Sequence, residues 1–330
     1  MVVDKPCFLI TVDTEGDDLW SLPREITTRN SAFVPRFQQL CERYGVRPTY
    51  LTDYEMALAP EFQEMARDAL ARNAAEVGMH LHAWNSPPLE PITEDDFKYG
   101  TYLAEYPEDT MRRKIRVMTD LLGDTFGKVP RSHRAGRWRM SLAYARILVE
   151  HGYVVDCSVT PNISWRPKLG APSGTGGSDY LLYPERPYFL DLQDLSRPGD
   201  SSLLEVPVTV LSRRRPMMRM IPEALRSHPF VLRVTERLFP VQRLTPSLRN
   251  LDRLVAITRE AARRVGHAEL AIHSSELMPG GSPSFRTPES IEALFAALEG
   301  LFEVVRAEFR PATLLEFHDS FTAARNGSAA

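Results

Sequence analysis

The chain has 330 residues, of which 43% are hydrophobic and 25% charged, so it can bury a large core. Its formal net charge of −3 gives no argument for nucleic-acid binding, and no nucleic-acid partner is expected. No run of about 18 apolar residues occurs, and the first residues lack a basic start, so we expect neither a membrane span nor a signal peptide. Three cysteines are too few for a disulfide framework, which predicts buried thiols and a cytoplasmic location.

The first predicted strand ends in a cluster of carboxylates. Cys7–Val12 is an apolar, β-branched run that predicts a buried strand, and Asp13 and Glu15 follow at its carboxyl end, where parallel sheets carry their chemistry. Residues two apart on an extended backbone point to one face, with Cα atoms about 6.5–7 Å apart, so both can converge on one ion. Asp17 on the same loop is an alternative ligand, and a solvated acidic turn is the alternative interpretation of the segment.

Helices and strands alternate through the next part of the chain. Asn30 and Ser31 are expected to cap a helix that runs through Tyr44 and closes at Gly45. The stripe on its buried face is predicted to comprise Phe33, Phe37, Leu40 and Cys41. A second strand at 46–53 and a helix at 60–73 precede a third strand at 76–82, and this order predicts a right-handed α/β wrap.

The third strand ends in paired histidines, His80 and His82. Two imidazoles and one carboxylate are the protein ligands of a hydrolytic zinc site, and carboxylate oxygen also suits manganese, cobalt or iron. One carboxylate of the first cluster is then left for proton transfer. Histidines that only hydrogen-bond nearby loops are the alternative, but the two clusters together predict a divalent metal site, with zinc the first choice.

Arginines and an aspartate mark the middle of the chain. A long loop follows Trp84, and the helix at 107–123 is predicted to bury Met111, Ile115, Met118 and Leu122. Pro130–Trp138 predicts a strand with four arginines in the stretch RSHRAGRWR, for which a solvated basic turn is the alternative. Ser141 is expected to cap a helix to Gly152. Asp156 lies midway along a predicted strand, Tyr153–Val159, where it needs a partner.

An arginine-rich segment separates these motifs from the last ones. After a loop at 160–183 and a strand predicted at Leu203–Leu211, in which Glu205 faces either the core or the site, residues 212–249 contain nine arginines and two acids. A solvated helical insertion is one interpretation, and anion binding or peripheral membrane contact is the other. The helix Asn250–Gly266 then leads to a strand, Glu269–His273. A helix after Pro288 and the pattern at 309–317 follow, and the tail 325–330 is expected to be disordered.

Five motifs, TVDTEGD, EVGMHLH, HRAGRW, VVDCSVTP and LAIHSSEL, occur in an order that resembles the polysaccharide deacetylases of the NodB-homology type, carbohydrate esterase family four. The resemblance spans most of residues 6–160 and 268–320. It implies a distorted (β/α) barrel as a single domain over 1–330, with 160–250 as a loop and helical insertion. The family usually has two adjacent aspartates where this chain has Asp13 and Glu15. It also has a histidine where this chain has Trp84, so His82 is expected to substitute.

The resemblance further implies an enzyme that uses a metal to remove an N-acetyl group from an amino sugar. In that scheme Asp13 is the base, His273 is the general acid, and Glu15, His80 and His82 hold the metal. Arg134 tunes Asp13, and Asp156 orients and charges His273. Substrate contacts are expected from Trp84, His133, Arg137 and Trp138, with the backbone N–H of Arg137 at the oxyanion.

Other functions remain open on the same motifs. One is hydrolysis of a formyl group, or of a non-sugar amide or imide, on the same metal site. Another is a silent carbohydrate-binding barrel, against which Asp13 and His273 argue, since a binder needs neither base nor acid. The expected partner is an amino-sugar substrate, nucleotide- or lipid-linked and destined for surface polysaccharide, because the arginines of 212–249 would attract phosphate.

Overall fold

The apolar, β-branched run at Cys7–Thr14 forms a strand, as its composition predicts. The computed structural model describes residues 5–246 and 251–327. Within those ranges the strands, numbered in chain order, are β1 (Cys7–Thr14), β2 (Thr49–Thr52), β3 (Glu76–Leu81), β4 (Ser132–Ala135), β5 (Val155–Asp156), β6 (Tyr188–Phe189), β7 (Leu204–Glu205), β8 (Val210–Leu211), β9 (Gln242–Arg243), β10 (His267–His273) and β11 (Arg310–Pro311).

Helices follow most of the strands, which makes the fold α/β. They are α1 (Val34–Arg43), α2 (Tyr54–Ala57), α3 (Pro60–Ala71), α4 (Asp96–Tyr99), α5 (Glu108–Phe126), α6 (Leu142–Glu150), α7 (Arg215–Met220), α8 (Glu223–Arg226), α9 (Pro229–Leu238), α10 (Leu251–Val265), α11 (Pro288–Glu308) and α12 (Leu314–Gly327). In the part of the chain that the structure describes, no helix combines the length and apolarity needed to cross a bilayer.

The chain divides into two compact units. Unit 1 comprises Met1–His80, Thr119–His133 and Leu244–Ala330, and unit 2 comprises Leu81–Met118 and Arg134–Arg243. The organisation of 1–330 as a single domain stays a prediction. The segment 160–250 contains loops, the short strands β6–β9 and the helices α7–α9, as far as it is described.

Unit 1 is built around β1, all eight residues of which are buried. This strand pairs in parallel with β10 on one side and with β2 on the other, and β2 pairs in parallel with β3. The first two residues of β1 also pair with β11. On the apolar side, the ring of Phe8 meets those of Phe302 and Phe309 edge-on, each at 6.3 Å between centroids. Parallel pairing brings the carboxyl ends of these strands to one edge of the sheet.

Unit 2 contains a different set of short strands. β5 pairs in parallel with β7, which pairs antiparallel with β6, and β8 pairs antiparallel with β9. The prediction of one strand over Leu203–Leu211 was therefore wrong, because β7 pairs with β5 and β6 whereas β8 pairs with β9. Glu205 is buried, and its Oε1 accepts a hydrogen bond from Val159 N at 2.9 Å.

Several predicted elements are confirmed with changed bounds. The helix stripe at Met111, Ile115, Met118 and Leu122 is buried, and the Ser141 hydroxyl caps α6 by accepting from Tyr144 N at 3.2 Å. The three cysteines are buried, as predicted. The strands predicted at Pro130–Trp138 and Tyr153–Val159 are shorter in the structure, where they correspond to β4 and β5.

Other details were predicted wrongly. A 3₁₀ helix, Arg29–Phe33, precedes α1, and Asn30 does not cap it with its side chain. Phe33 is exposed, whereas Phe37, Leu40 and Cys41 are buried, and Gly45 ends the helix at a positive φ of 68°. Residues 325–327 of the tail are helical, whereas 328–330 lie outside the described residues, as do Arg249 and Asn250.

Candidate metal and acid–base centre

The register of unit 1 brings the predicted site residues to one edge of the sheet. Asp13 in β1 lies opposite His273, the last residue of β10, and opposite Leu51 in β2. β3 extends alongside β2 and reaches His80 just beyond the paired residue Met79. Asp13, His80 and His273 thus come from the carboxyl ends of three parallel strands, as the sequence predicts.

Glu15 follows β1 and is held through its backbone. Its N–H donates to Ser274 Oγ at 3.1 Å, and Ser274 Oγ donates back to the Glu15 carbonyl at 3.2 Å. The Asn30 amide donates to the same carbonyl at 2.8 Å. The three side chains are buried, so these bonds are shielded from water. They fix the position from which the Glu15 carboxylate projects.

Three buried side chains form a group that could hold a metal ion. One ligand atom from each of Glu15, His80 and His82 can be chosen so that all three lie within 4.8 Å of one another. His80 Nε2 is 3.4 Å from Glu15 Oε2. Two imidazoles and a carboxylate are the donor set of hydrolytic zinc sites, and the spacing is that of ligands to one ion. The donors therefore fit the predicted divalent metal.

Asp13 and His273 lie beside this group. His273 Nε2 is 3.6 Å from Asp13 Oδ2 and 3.9 Å from Glu15 Oε1. Asp13 is buried, whereas the His273 side chain is 25% exposed, so a molecule from solvent can reach the histidine. A carboxylate and an imidazole in this arrangement can serve as a base and an acid next to one reaction centre.

Glu276 orients His273, a contact that sequence reasoning missed. Its Oε2 accepts the backbone N–H of His273 at 2.8 Å and lies 3.3 Å from His273 Nδ1. Burial lowers the pKa of His273, but the Glu276 hydrogen bond and the charges of Glu15, Asp13 and Glu276 outweigh it and raise the pKa to about 9. A glutamate three residues after a strand-ending histidine, in SSEL, was the available signal.

The prediction that Asp156 orients His273 stays a prediction. The carboxylate on His273 Nδ1 belongs to Glu276. Asp156, which is fully buried, accepts hydrogen bonds from the Ser158 hydroxyl at 2.7 Å and from Ser158 N at 3.3 Å. Ser158 Oγ in turn accepts from Ala135 N at 2.8 Å, so Asp156 supports the backbone at the end of β4.

Trp20 is a second residue that sequence reasoning missed. It lies in a short 3₁₀ helix, Leu19–Ser21, and its ring is 4.7 Å from that of His273, tilted by 58°. The side chain is 43% exposed. A large exposed aromatic ring beside a part-exposed histidine offers an apolar face to a bound molecule. The position in the sequence, five residues after Glu15, carries no signal of this contact.

Asp17, the alternative ligand, has another role. Its Oδ1 accepts from Asn30 N at 2.9 Å, and its Oδ2 accepts from the Thr27 hydroxyl at 2.7 Å and from both N and Nε of Arg29 at 3.1 Å. Both carboxylate oxygens are therefore committed to the loop at 27–30. Asp17 holds that loop in place, and the metal-binding geometry belongs to Glu15.

Asp53, at the end of β2, supports the same backbone from the other side. Its oxygens accept from Gly16 N at 3.0 Å and from Met56 N at 2.8 Å, where it caps α2. Burial raises the pKa of Asp53 to about 7, although the hydrogen bond from Met56 opposes the shift, and the charge of Glu15 raises it further. Asp53 is thus a positioning residue that the sequence pattern did not indicate.

The arginine motif around β4 is largely buried. His133 and Arg134 are fully buried, and Arg134 Nε donates to the Cys157 carbonyl at 3.1 Å. The Arg134 guanidinium carbon lies 4.8 Å from the centre of the Trp138 ring. A solvated basic turn is therefore excluded for Arg134. Contact of His133 and Trp138 with a substrate stays a prediction.

The turn after β4 is shaped by the second histidine. A Cβ on Gly136 would clash with the His82 ring and the Leu81 carbonyl, so only glycine fits there. Arg137 and Trp138 then adopt positive φ values of 54° and 63°, an uncommon pair that re-aims the backbone. The Arg137 guanidinium donates to the carbonyls of Gly100 and Leu169, and Trp84 is buried 4.5 Å from the His82 ring.

Two solved structures share this architecture over nearly the whole chain. A "putative polysaccharide deacetylase" from Mycobacterium smegmatis matches 98% of this chain and 93% of its own at 18% identity, with a TM-score of 0.55. A "putative glycoside hydrolase/deacetylase" from Parabacteroides distasonis matches 96% and 71% at 12% identity, with a TM-score of 0.61.

The fold is the NodB-type (β/α) barrel.

The resemblance seen in the five motifs is thereby confirmed at the level of the fold. PuuE allantoinase has a similar structure, covering 96% of this chain and 90% of its own at 13% identity, with a TM-score of 0.51. No protein-family model and no curated protein matches the sequence. NodB-type barrels thus accommodate different named activities, so the chemistry has to be argued from the side chains at the sheet edge.

Proposed function

We propose that this chain is a metal-dependent hydrolase of the polysaccharide deacetylase family that removes an acetyl group from the nitrogen of an amino sugar. The observation that carries the proposal is the arrangement at the sheet edge. A buried Glu-His-His donor group lies beside a buried carboxylate, Asp13, which is 3.6 Å from a part-exposed histidine, His273. Hydrolysis of an amide needs these three functions together.

Glu15, His80 and His82 would hold the metal, and zinc is our proposal for its identity. A divalent ion at this position supplies Lewis-acid polarisation of the amide carbonyl and lowers the pKa of water. The backbone clamp on Glu15 by Ser274 and Asn30 keeps the carboxylate in place before any ion binds. Such preorganisation reduces the cost of assembling the site.

Asp13 and His273 would divide the proton transfers. Asp13 accepts a proton from the attacking water, and His273 donates one to the departing amine nitrogen. Glu276 favours the protonated form of His273 and fixes its ring. The difference in exposure supports the division, because the leaving group has to be reached from the open side, where His273 lies.

Arg134 and Arg137 complete the proposed mechanism. We assign Arg134 to holding Asp13 in its charged form, as the family resemblance implies, and the complete burial of Arg134 supports a role that excludes water. The backbone N–H of Arg137, in its left-handed turn, is the proposed donor to the oxyanion. Trp20 and Trp138 would provide aromatic faces for the sugar ring.

We propose an amino sugar carried on a nucleotide or a lipid, on the way to a surface polysaccharide, as the natural substrate. The cationic segment 212–249 supports an anionic carrier, since it holds nine arginines and two acids. Three buried cysteines without a disulfide framework in the sequence support a reaction in the cytosol, where such precursors are assembled.

A second candidate is hydrolysis of a non-sugar amide or imide on the same centre, or of a formyl group on a sugar. The structural similarity to PuuE allantoinase over 96% of this chain is the observation that favours it. Both candidates need the same donors and the same acid–base pair. They differ in the group that would lie beside Trp20 and His273.

Product analysis distinguishes these functions. The purified chain is stripped with a chelator, reloaded with Zn²⁺, Mn²⁺ or Co²⁺, and incubated with N-acetylated amino sugars, N-formylated amino sugars and allantoin. Metal-dependent acetate release that is absent from Asp13→Asn supports the proposal. Formate release or allantoin opening alone would replace it with the second candidate. A metal-loaded protein that turns over none of these and binds the sugars would be a silent barrel, contrary to both.

A further inference from the structure

Unit 2 contains a cavity of about 190 Å³ formed by the loop after β5 and the arginine-rich segment. Its polar and charged lining comprises Ser164, Trp165, Lys168, Arg214, Glu236 and Arg243. The volume corresponds to roughly six water molecules, which is enough for a phosphate group and part of the molecule that bears it. None of these residues belongs to the metal and acid–base centre.

Arg214 is the unusual member of this lining. Its side chain is only 3% exposed, yet its Nε and Nη1 have no hydrogen-bond partner, while Nη2 donates to the Asn162 carbonyl. The hydroxyl of Ser164, on the same cavity, is also buried without a partner. Buried donors left unpaired are costly, and charged ones more so. Proteins normally keep such groups where water, an ion or a ligand satisfies them.

The side chains that line the cavity carry a net positive charge. Lys168, Arg214 and Arg243 are three cations against the single carboxylate of Glu236, a net charge of +2. Glu236 and Asp179 are near enough for their charges to act on Arg214, but neither accepts a hydrogen bond from its Nε or Nη1. A small anion would therefore gain two interactions at once, an electrostatic one and the hydrogen bonds that Arg214 does not make within the chain.

We propose that this cavity binds a small ligand that carries a phosphate group. The Arg214 guanidinium can donate a charge-assisted hydrogen bond to a phosphate oxygen from Nε or from Nη1, and the Ser164 hydroxyl can donate to the same phosphate. The organic part of the ligand would lie on the half-buried indole of Trp165, over which the Arg243 guanidinium sits at 5.8 Å. Leu232 and Val241 supply an apolar wall. The proposal is independent of the deacetylation reaction.

The phosphate has two possible sources, a soluble phosphate ester or a lipid headgroup. The helix α9 is relevant to the choice between these sources. Leu232 and Glu236 on this helix line the cavity. Phe230, Val234 and Leu238 are exposed at a spacing of four residues. Phe230 is 69% exposed and Leu238 62% exposed. Such an apolar stripe next to arginines could enter a membrane interface and present the cavity to headgroups.

The binding test uses the full chain titrated by calorimetry with inorganic phosphate and with pyrophosphate at low salt. Arg214→Met should weaken pyrophosphate binding at least about tenfold, as expected from the loss of one strong charge-assisted pair of hydrogen bonds. Arg237→Met removes the same charge from an exposed position of α9 outside the cavity and should change the affinity less than twofold. If Arg214→Met does not fold, the exposed Lys168→Met and Arg243→Met replace it, with a loss of several-fold expected from each.

Vesicles distinguish the two sources. Flotation with phosphatidylcholine vesicles that contain or lack phosphatidic acid is compared for the wild type and Phe230→Ser. Binding to phosphatidic acid that Arg214→Met and Phe230→Ser both weaken identifies a headgroup, whereas pyrophosphate binding without flotation identifies a soluble ester. Absence of both kinds of binding, or equal effects of Arg214→Met and Arg237→Met, overturns the proposal.

Discussion

Replacing Glu276 by Gln tests the contact that the structure adds to the predicted acid–base pair. Gln keeps an oxygen that can accept the backbone N–H of His273, which Glu276 now accepts at 2.8 Å. It removes the negative charge that lies 3.3 Å from His273 Nδ1. The variant therefore separates loss of charge from loss of the local fold. We expect folding and metal content to be unchanged.

The size of the effect follows from the bond that is lost. A hydrogen bond to a charged group contributes about 1.5–3 kcal/mol. If the whole of it acts on the protonated His273 in the transition state, kcat falls roughly 10- to 150-fold, since about 1.4 kcal/mol is a factor of ten in rate. KM should change little. Glu276 raises the pKa of His273, so its loss should also move the alkaline limb of the pH–rate profile to lower pH.

The assay is acetate release under saturating substrate at several pH values, with melting temperature and metal content measured in parallel. Glu289→Gln, an exposed substitution in the first turn of α11, is the matched control and should behave as the wild type. A Glu276→Gln enzyme with normal kcat and a normal pH profile would refute the positioning role. An equal loss from Glu289→Gln would show that the change is not local.

Three further outcomes follow from the same structure. His273→Ala should leave metal content intact and reduce kcat by about 10²–10⁴, measured by acetate release, whereas a loss of melting temperature alone would make it a core histidine. Lys114→Met removes three hydrogen bonds of 2.6–2.9 Å to the carbonyls at 83, 86 and 88, just after His82. The free energy of unfolding, measured in urea, should fall by about 3 kcal/mol or more. The control Lys128→Met, at an exposed position, should leave it almost unchanged. Burial raises the pKa of Glu76, so its folded pKa lies above its unfolded one and its contribution to stability is lost as pH rises above the ordinary glutamate pKa of 4.5. The melting temperature of Glu76→Gln, taken relative to that of the wild type, should therefore rise between pH 4 and pH 7. A difference that does not change with pH would contradict this.

The sequence predicted a strand or a site correctly where a single residue pattern was enough to define it. The β-branched run before Asp13 predicted β1, and the register of β1 with β10 then placed Asp13 opposite His273. Period-2 spacing predicted that His80 and His82 would approach Glu15, and the group is present. These outcomes depend on local pattern and on the rule that parallel strands end at one edge.

Long-range hydrogen bonds were not predictable in the same way. Asparagine is a residue type that often caps helices, but the side-chain amide of Asn30 donates to the carbonyl of Glu15, which lies 15 residues away in the sequence. Asp17 resembles a free ligand in the sequence, yet its oxygens are taken by residues 27–30. In both cases tertiary contact overrides a local preference. The contact of His273 with Glu276, three residues away, was not predicted because a partner was sought in a distant motif.

The prediction of one continuous strand at Leu203–Leu211 was also wrong. LLEVPVTVL is a mainly apolar, β-branched run that is typical of one strand, but its two ends pair with different strands, β7 with β5 and β8 with β9. The cavity at Arg214 had only a compositional signal, the excess of arginine. Which of those arginines is buried, and which bind carbonyls as Arg215 and Arg226 do, depends on how the loops fold over one another.

Metal content of four variants tests the central claim most directly. The claim is that Glu15, His80 and His82 bind the ion while Asp13 moves a proton. After reconstitution with Zn²⁺ and gel filtration, Asp13→Asn should retain about one equivalent of metal and release no acetate, whereas Glu15→Ala, His80→Ala and His82→Ala should each lose most of the metal. Retention of metal by Glu15→Ala together with its loss from Asp13→Asn would contradict the assignment and exchange the two roles.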